Sequence, residues 1–205
     1  MPIPELLIAT NNRGKAGEIA NFLGDLPVKV VTLRDVGITR DVEEDGETYL
    51  ENSQKKAREY ANESGLPAIS DDGGIEIDAL GGEPGIRSRR WLGHHATDQE
   101  LVDHLSKVAK ELPDGNRGAR FITIVSFAMP HGDIFSAEGS VRGEISREPE
   151  RSLLEGYPYR SFFYLPELGK FYHESDLTPE ETRQYNHRYQ AVQALVPDIK
   201  RELEL

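Results

Sequence analysis

The sequence predicts a mixed α/β fold. Three observations carry that prediction: short apolar runs alternate with helical patterns early in the chain, a long hairpin follows, and the C-terminal stretch reads as helix. Leu6-Leu7-Ile8-Ala9 is a buried-strand run, and Thr10-Asn11-Asn12-Arg13-Gly14 behind it are polar loop residues. From Lys15 to Leu23, Ile19, Phe22 and Leu23 fall at helical spacing, and Val28 to Leu33 reads as a second strand. Tyr49 to Ser64 is a helix stopped by Gly65-Leu66-Pro67. Ala68-Ile69-Ser70 is a short strand running into Asp71-Asp72-Gly73-Gly74, and Ile75-Glu76-Ile77 alternates as another. Thr97-Asp98-Gln99-Glu100 is a capping-box pattern that opens a helix to about Leu112. Phe121 to Met129 and Ile134 to Val141 flank the turn Pro130-His131-Gly132-Asp133 as a hairpin. Thr178-Pro179-Glu180-Glu181 is a second capping box with proline at the first helical position; helix is expected from there to the end, broken near Pro197.

Composition narrows the function. With 205 residues, a single domain over 1–205 is expected. Cysteine is absent, which removes disulfides, thiolate metal sites and thiol nucleophiles together. The 36 acidic against 24 basic side chains leave a net charge of −12, a field that repels polyanions and argues against a DNA- or RNA-coating role. A small phosphorylated ligand stays compatible, because a local lysine cluster with a divalent cation overcomes a distant acidic surface. The N-terminus lacks a basic n-region, and no apolar run is long enough for a membrane helix, so a soluble intracellular protein is expected.

Several clusters can carry chemistry. Thr10-Asn11-Asn12-Arg13-Gly14-Lys15 sits where a helix begins, and the free N–H groups there can cradle a phosphate with Lys15 as point charge. It is not a Walker A loop, and a plain capped turn reads equally well. Glu43, Glu44, Asp45, Glu47 and Glu51 form an acidic run of the kind that is usually solvated. Asp71-Asp72, after an apolar strand and before two glycines, suits an oxygen-liganded metal such as Mg²⁺, which takes one or two carboxylates. Lys55 could pair with Glu51 at i,i+4, or the Lys55-Lys56 pair could turn toward bound phosphate; the spacing does not choose. His94-His95 lack the spacing of two metal ligands on one helix face, and Trp91 reads as core or interface.

Several stretches share the order and spacing of one family: ATNNRGKAGEI, ENSQKKA, LPAISDDGGIEIDALGGEPGIRSRRWLG and GKFYHESDLTPEETRQYNHRYQAVQAL. The chain resembles the HAM-type inosine/xanthosine triphosphate pyrophosphatases, with Asp71 through Ser88 the most specific segment. The resemblance implies an elongated curved sheet with flanking helices and two lobes around a central cleft. It also implies Mg²⁺-dependent cleavage of non-standard purine nucleoside triphosphates (ITP, dITP, XTP) to monophosphate and pyrophosphate by a cytoplasmic homodimer. Carried over residue by residue, the phosphate loop falls on Thr10 to Lys15, a metal ligand on Glu43 or Glu44, and a phosphate-contacting lysine on Lys56. Asp71 falls beside the substrate, and Asp72 matches the general base and metal ligand. His187-Arg188 matches the pair that reads the 6-oxo edge of the purine.

The departures gather on the base side. Gly73 replaces a substrate-contacting serine, and Asn186 replaces the serine before His187. Tyr157-Pro158-Tyr159-Arg160-Ser161 stands for a Phe-Gly-Tyr/Trp-Asp-Pro loop, keeping a stacking aromatic at Tyr157 but putting Arg160 where the family has a base-side aspartate. Lys170 follows in the Gly-Lys element, and Thr182 replaces a lysine. Arginine offers only donors, so such a pocket is expected to favour acceptor-rich 6-oxopurines, xanthine included, over adenine. Two alternatives stay open at this point: a member with altered base specificity, and a nucleotide-binding module without turnover.

Overall fold

The computed structural model describes residues 3–150 and 155–205. Seven strands, β1 (Glu5–Ile8), β2 (Lys29–Thr32), β3 (Ala68–Ile77), β4 (Gly118–Ala128), β5 (Ile134–Ile145), β6 (Phe163–Leu165) and β7 (Lys170–Phe171), form one sheet ordered β2-β1-β3-β4-β5-β6-β7. The helices are α1 (Arg13–Phe22), α2 (Tyr49–Ser64), α3 (Asp98–Glu111), α4 (Pro179–Tyr185) and α5 (His187–Glu202). β1 pairs in parallel with β2 and with β3, whereas β5–β6 and β6–β7 are antiparallel, so the sheet is mixed as expected. Among the described residues, no helix is long and apolar enough to cross a membrane.

The chain divides into two compact units, each with its own core. The first comprises Met1–Asp72, Thr123–Gly139 and Arg188–Leu205; the second comprises Gly73–Ile122 and Ser140–His187. β3, β4 and β5 each contribute residues to both.

The apolar run of β1 is explained by burial on both faces, the condition of a parallel strand covered by helices. Leu6 and Ile8 pack with Ile19 and Leu23 of α1 and with Val192 and Leu195 of α5. Leu7 and Ala9 pack on the other side with Ala57, Tyr60 and Ala61 of α2. α2 starts with a capping box, Thr48 Oγ1 accepting the Glu51 N–H at 3.1 Å while Glu51 Oε2 accepts the Thr48 N–H at 3.1 Å. It ends at Gly65, whose φ of 69° a side chain would strain. In the second unit, α3 buries Leu101, Leu105 and Ala109, one helical face, in a core with Ile75, Ile77, Phe121 and Phe163.

Two expectations need correction. Asp71-Asp72-Gly73-Gly74 does not end a strand: β3 runs unbroken from Ala68 to Ile77. Its acids are tolerated mid-strand because partners compensate them, as described below. The C-terminal helix breaks at Asn186, not at Pro197. Asn186 is extended (φ −94°, ψ 108°) and fully buried, which separates α4 from α5. Pro197 lies within α5 on its exposed side, where water can satisfy the carbonyl that loses its N–H partner.

Candidate active site

The first unit assembles charge from three directions. Behind β1 the chain turns into α1: Thr10 Oγ1 accepts the Asn12 N–H at 3.2 Å, and Asn12 Oδ1 caps the helix by accepting the Lys15 N–H at 3.1 Å. Asn11 donates to Asp41 Oδ1 at 3.1 Å, fastening this loop to the segment that leads into the acidic run. Arg13, the first residue of α1, is exposed; Gly14 follows half-buried. Lys15 reaches inward, its Nζ 3.0 Å from Asp71 Oδ2.

β3 alternates its side chains between two faces, and that alternation sorts the two aspartates. Asp71 faces Lys15 of α1 and Arg188 of α5, whose Nε and Nη2 both donate to Asp71 Oδ2 at 3.1 Å. Arg188 also pairs through Nη1 with Glu18, a carboxylate only 2% exposed. Burial alone would raise the Asp71 carboxyl, but Lys15, Arg188 and Lys56 outweigh it and hold the group well below the usual carboxylate range. Asp72 faces α2, where Asn52 Nδ2 donates to its Oδ2 at 3.0 Å. Here burial dominates, joined by repulsion from Glu44 and opposed by Lys56 and Lys15, and the Asp72 carboxyl is raised. Two neighbouring aspartates are thereby driven apart, one locked as an anion and one made more basic.

Glu44 and Lys56 complete the cluster. Lys56, nearly buried on α2, forms a short ion pair with Glu44. Burial works against the Glu44 anion, but Lys56 and Lys15 hold its carboxyl lowered, while Asp72 and Glu44 keep Lys56 raised against its own burial. Glu43 is exposed, so the structure separates the two candidate glutamates and turns Glu44 toward Lys56. The loop approaches α2 closely at Gly46: a Cβ there would stand 2.7 Å from Asn52 Oδ1, and the Gly46 N–H donates to that same oxygen at 2.8 Å. Lys55 pairs with Asp45 at 2.6 Å, and the Glu51 carboxylate closes the capping box, so no Glu51–Lys55 bridge forms.

Glu44 and Asp72 are hard oxygen donors whose mutual repulsion a divalent cation would relieve. That is the donor chemistry Mg²⁺ accepts when water and phosphate oxygens supply the remaining positions. Among the described residues there is no group of three or more acidic or histidine side chains that could hold a metal by themselves.

The second unit holds the remaining candidates. Arg160 is 3% exposed, and its guanidinium lies 3.8 Å from the Tyr157 ring centroid and 4.8 Å from that of Tyr172. The Tyr172 hydroxyl is 2.7 Å from His187 Nδ1, and the His187 ring stacks on Phe121 at 5.4 Å and 19°. Tyr159 is buried, its hydroxyl donating to the Ser88 carbonyl at 2.5 Å. Lys170 is held by both carboxylate oxygens of Glu181, at 2.8 and 2.9 Å. Thr182 is half-buried within α4, and Gly73 is half-buried on β3. His94 sits within 3.4 Å of Glu100 on its loop, and Trp91 meets His104 edge-on at 4.6 Å.

Sequence reasoning passed over Asn52, Glu18 and Thr123. Asn52 lies inside ENSQKKA, and the Thr48-x-x-Glu51 capping pattern places it on the first turn of α2. Glu18 had a signal too, an acid one position before the apolar Ile19 of α1. Thr123, whose Oγ1 donates to the Asp72 carbonyl at 3.0 Å, gives no local sign of this role in its strand.

Fold and cluster together define a mixed α/β protein with a buried, lysine-compensated carboxylate centre beside a helix N-terminus. The chain belongs to the Ham1 family, whose model matches residues 6–198. It is 38% identical over 198 residues to the dITP/XTP pyrophosphatase of Shigella flexneri, spanning 96% of this chain and 98% of that protein. To a dITP/XTP pyrophosphatase of Thermus thermophilus it is 40% identical over 196 residues, spanning 96% of this chain and 92% of that protein. Among solved structures, a HAM1 protein from Coxiella burnetii matches with a TM-score of 0.79 at 31% identity, covering 97% of this chain and all of the other.

Proposed function

We propose that this chain hydrolyses non-standard purine nucleoside triphosphates, ITP, dITP and XTP, to the monophosphate and pyrophosphate. The functional unit is the whole chain, 1–205, acting as a cytoplasmic homodimer. The observation that carries the reading is the sorting of two buried aspartates on β3: Asp71 pairs with Lys15 and Arg188, while Asp72 faces α2 and takes a hydrogen bond from Asn52. The dITP/XTP pyrophosphatase relatives support the substrate class.

Glu44 and Asp72 would hold Mg²⁺. When bound, the ion supplies Lewis-acid stabilisation of charge on the triphosphate oxygens. The chain's own residues do the rest. The N–H groups at the start of α1, with Thr10, Asn11, Asn12, Arg13 and Gly14 around them, bind phosphate oxygens. Lys15 and Lys56 offset the negative charge that grows on the leaving pyrophosphate. Asp72, oriented by Asn52, takes the proton of the attacking water. The water oxygen bonds to the α-phosphorus as the bond from that phosphorus to its bridging oxygen breaks, releasing pyrophosphate. Tyr157, Arg160 and His187, with Gly73, Tyr159, Lys170 and Thr182 in the family pattern, form the base-side set, whereas Arg188 is engaged by Asp71 and Glu18.

The test is a panel of ITP, dITP, XTP, GTP and ATP with Mg²⁺, read by pyrophosphate release. Turnover of 6-oxopurine triphosphates above ATP is the expected result. Tight binding without pyrophosphate release would replace this reading with a nucleotide-binding module.

A further inference from the structure

We propose that Asn52 is a positioning residue whose carboxamide fastens the Glu44 loop and the Asp72 side chain to one point of α2, so that cation ligand and base are held in register before any ligand arrives. The proposal rests on the nucleotide reading above and names the part that sets its two carboxylates against each other.

Residues 38–46 form neither helix nor strand, so no ladder of backbone bonds holds Glu44 in place. A stripe of α2 does so instead. Asn52, Lys56 and Tyr60 follow one another at i, i+4 and i+8 and are all buried. The Tyr60 hydroxyl accepts the Val42 N–H at 3.2 Å, Lys56 pairs with the Glu44 carboxylate, and Asn52 Oδ1 accepts the Gly46 N–H at 2.8 Å. Every second loop residue thus meets every fourth helix residue. The spacings match: two residues of extended chain advance about 6.6 Å, and four residues of helix about 6 Å. The register closes at Gly46, where a side chain has no room because a Cβ would stand 2.7 Å from Asn52 Oδ1 and 2.8 Å from Glu51 Cβ.

The other arm of the same carboxamide works on β3, Nδ2 donating to Asp72 Oδ2 at 3.0 Å. Asn52 is 1% exposed, and Glu44, Gly46, Asn52 and Asp72 all belong to the first unit. A backbone N–H can only donate and a carboxylate oxygen accepts, so this place needs an acceptor and a donor on the two arms of one short side chain. Asparagine supplies both, whereas an aspartate carboxylate lacks the donor and leucine lacks both. The two arms share one rigid plane, so a shift of the loop at Gly46 is passed to the donor at Asp72. Asn52 acts on the reaction through Glu44 and Asp72 alone.

The experiment joins amide exchange to kinetics. Without cation or nucleotide, deuterium exchange followed by NMR should show a protected amide at Gly46, and Asn52→Leu should speed that exchange about tenfold, the scale of one hydrogen bond. The same variant should raise the Mg²⁺ concentration for half-maximal ITP turnover about tenfold and lower kcat at saturating Mg²⁺ by a similar factor, with KM for ITP little changed. Gly46→Ala pushes the loop off Asn52 but leaves the bond to Asp72, so it should raise the Mg²⁺ requirement alone. It also carries the comparison if Asn52→Leu fails to fold. A merely structural defect would reduce the amount of active protein and leave the Mg²⁺ requirement unmoved, and that result overturns the assignment. Exchange needs no substrate, so the two readings fail separately. Absence of turnover on every triphosphate overturns the nucleotide reading and the role of Asn52 in it, whereas an unprotected Gly46 amide in a protein that turns over ITP overturns the Asn52 fastening alone.

Discussion

The two units set different groups against their buried arginines. In the first, Arg188 is pinned by carboxylates, with Asp71 and Glu18 taking its donors and Lys15 sharing the same Asp71 oxygen. In the second, Arg160 lies against the faces of Tyr157 and Tyr172. Ion pairs of the first kind are fixed in position and intolerant: removing one member strands a charge in a dry interior. Aromatic faces hold a cation more loosely and with less directional demand. Chemistry that cannot vary belongs on the first kind of support, and a pocket that is retuned between relatives belongs on the second.

The contrast can be broken, most severely at the reactive carboxylate. Asp72→Asn keeps the shape and the Asn52 contact region but removes the base, so turnover should fall by roughly 10²–10⁴. Circular dichroism should show an unchanged fold, and near-full activity at saturating Mg²⁺ would remove Asp72 from the role given to it. Asp71→Ala tests the anchor instead. Stranding Lys15 and Arg188 should destabilise the protein by about 3–5 kcal/mol in urea melts. The pH dependence has a definite sign. The folded Asp71 carboxyl titrates below the unfolded value of about 4, so its contribution is full above that pH and is lost as acid reaches the lower folded value. The stability curves of the variant and the unsubstituted protein should therefore converge on acidification.

A smaller effect is expected one turn along α2. Lys56→Ala should lower kcat/KM for triphosphate by roughly 10² while changing monophosphate affinity less. Equal losses on both ligands would leave Lys56 as a partner of Glu44 and nothing more. The smallest effect belongs to the aromatic support: Arg160→Met, which keeps the bulk and removes the charge, should cost about 1 kcal/mol in thermal unfolding. A loss as large as that of Asp71→Ala would mean that the two rings are a minor part of what holds Arg160.

Local pattern made much of this visible. The helix Tyr49–Ser64 follows from its apolar spacing and its glycine stop, and both capping boxes at Thr97 and Thr178 open helices where expected. That Lys15, Lys56, Asp71 and Asp72 share one cluster was not legible from local pattern: Asp71 and Asp72 lie inside β3 and Lys56 inside α2, and only the family resemblance set them beside Lys15. What escaped depends on distant partners. The unbroken course of β3 through two acids and two glycines needs Lys15, Arg188 and Asn52, which are remote in sequence. The break at Asn186 lies between two segments that each read as helix, and the single asparagine is too common in exposed helices to announce it. Arg160 looked like a hydrogen-bond donor aimed at a base, since sequence spacing carries no information about the tyrosine rings that meet it.

The alternation of β3 has a consequence for how such a chain can change. Substitution at position 71 or 72 changes the direct contacts on one side of the sheet only, although Lys15 and Lys56 feel both carboxylates. A deletion or insertion of one residue upstream in the strand would exchange their sides, presenting the anchoring carboxylate to α2 and the reactive one to Arg188. Point changes are graded here, whereas a frame slip of a single residue is all-or-none. Length variation among descendants of this chain should therefore collect in the turn Met129–Asp133 and in the loops, and be absent from Ala68 to Asp72.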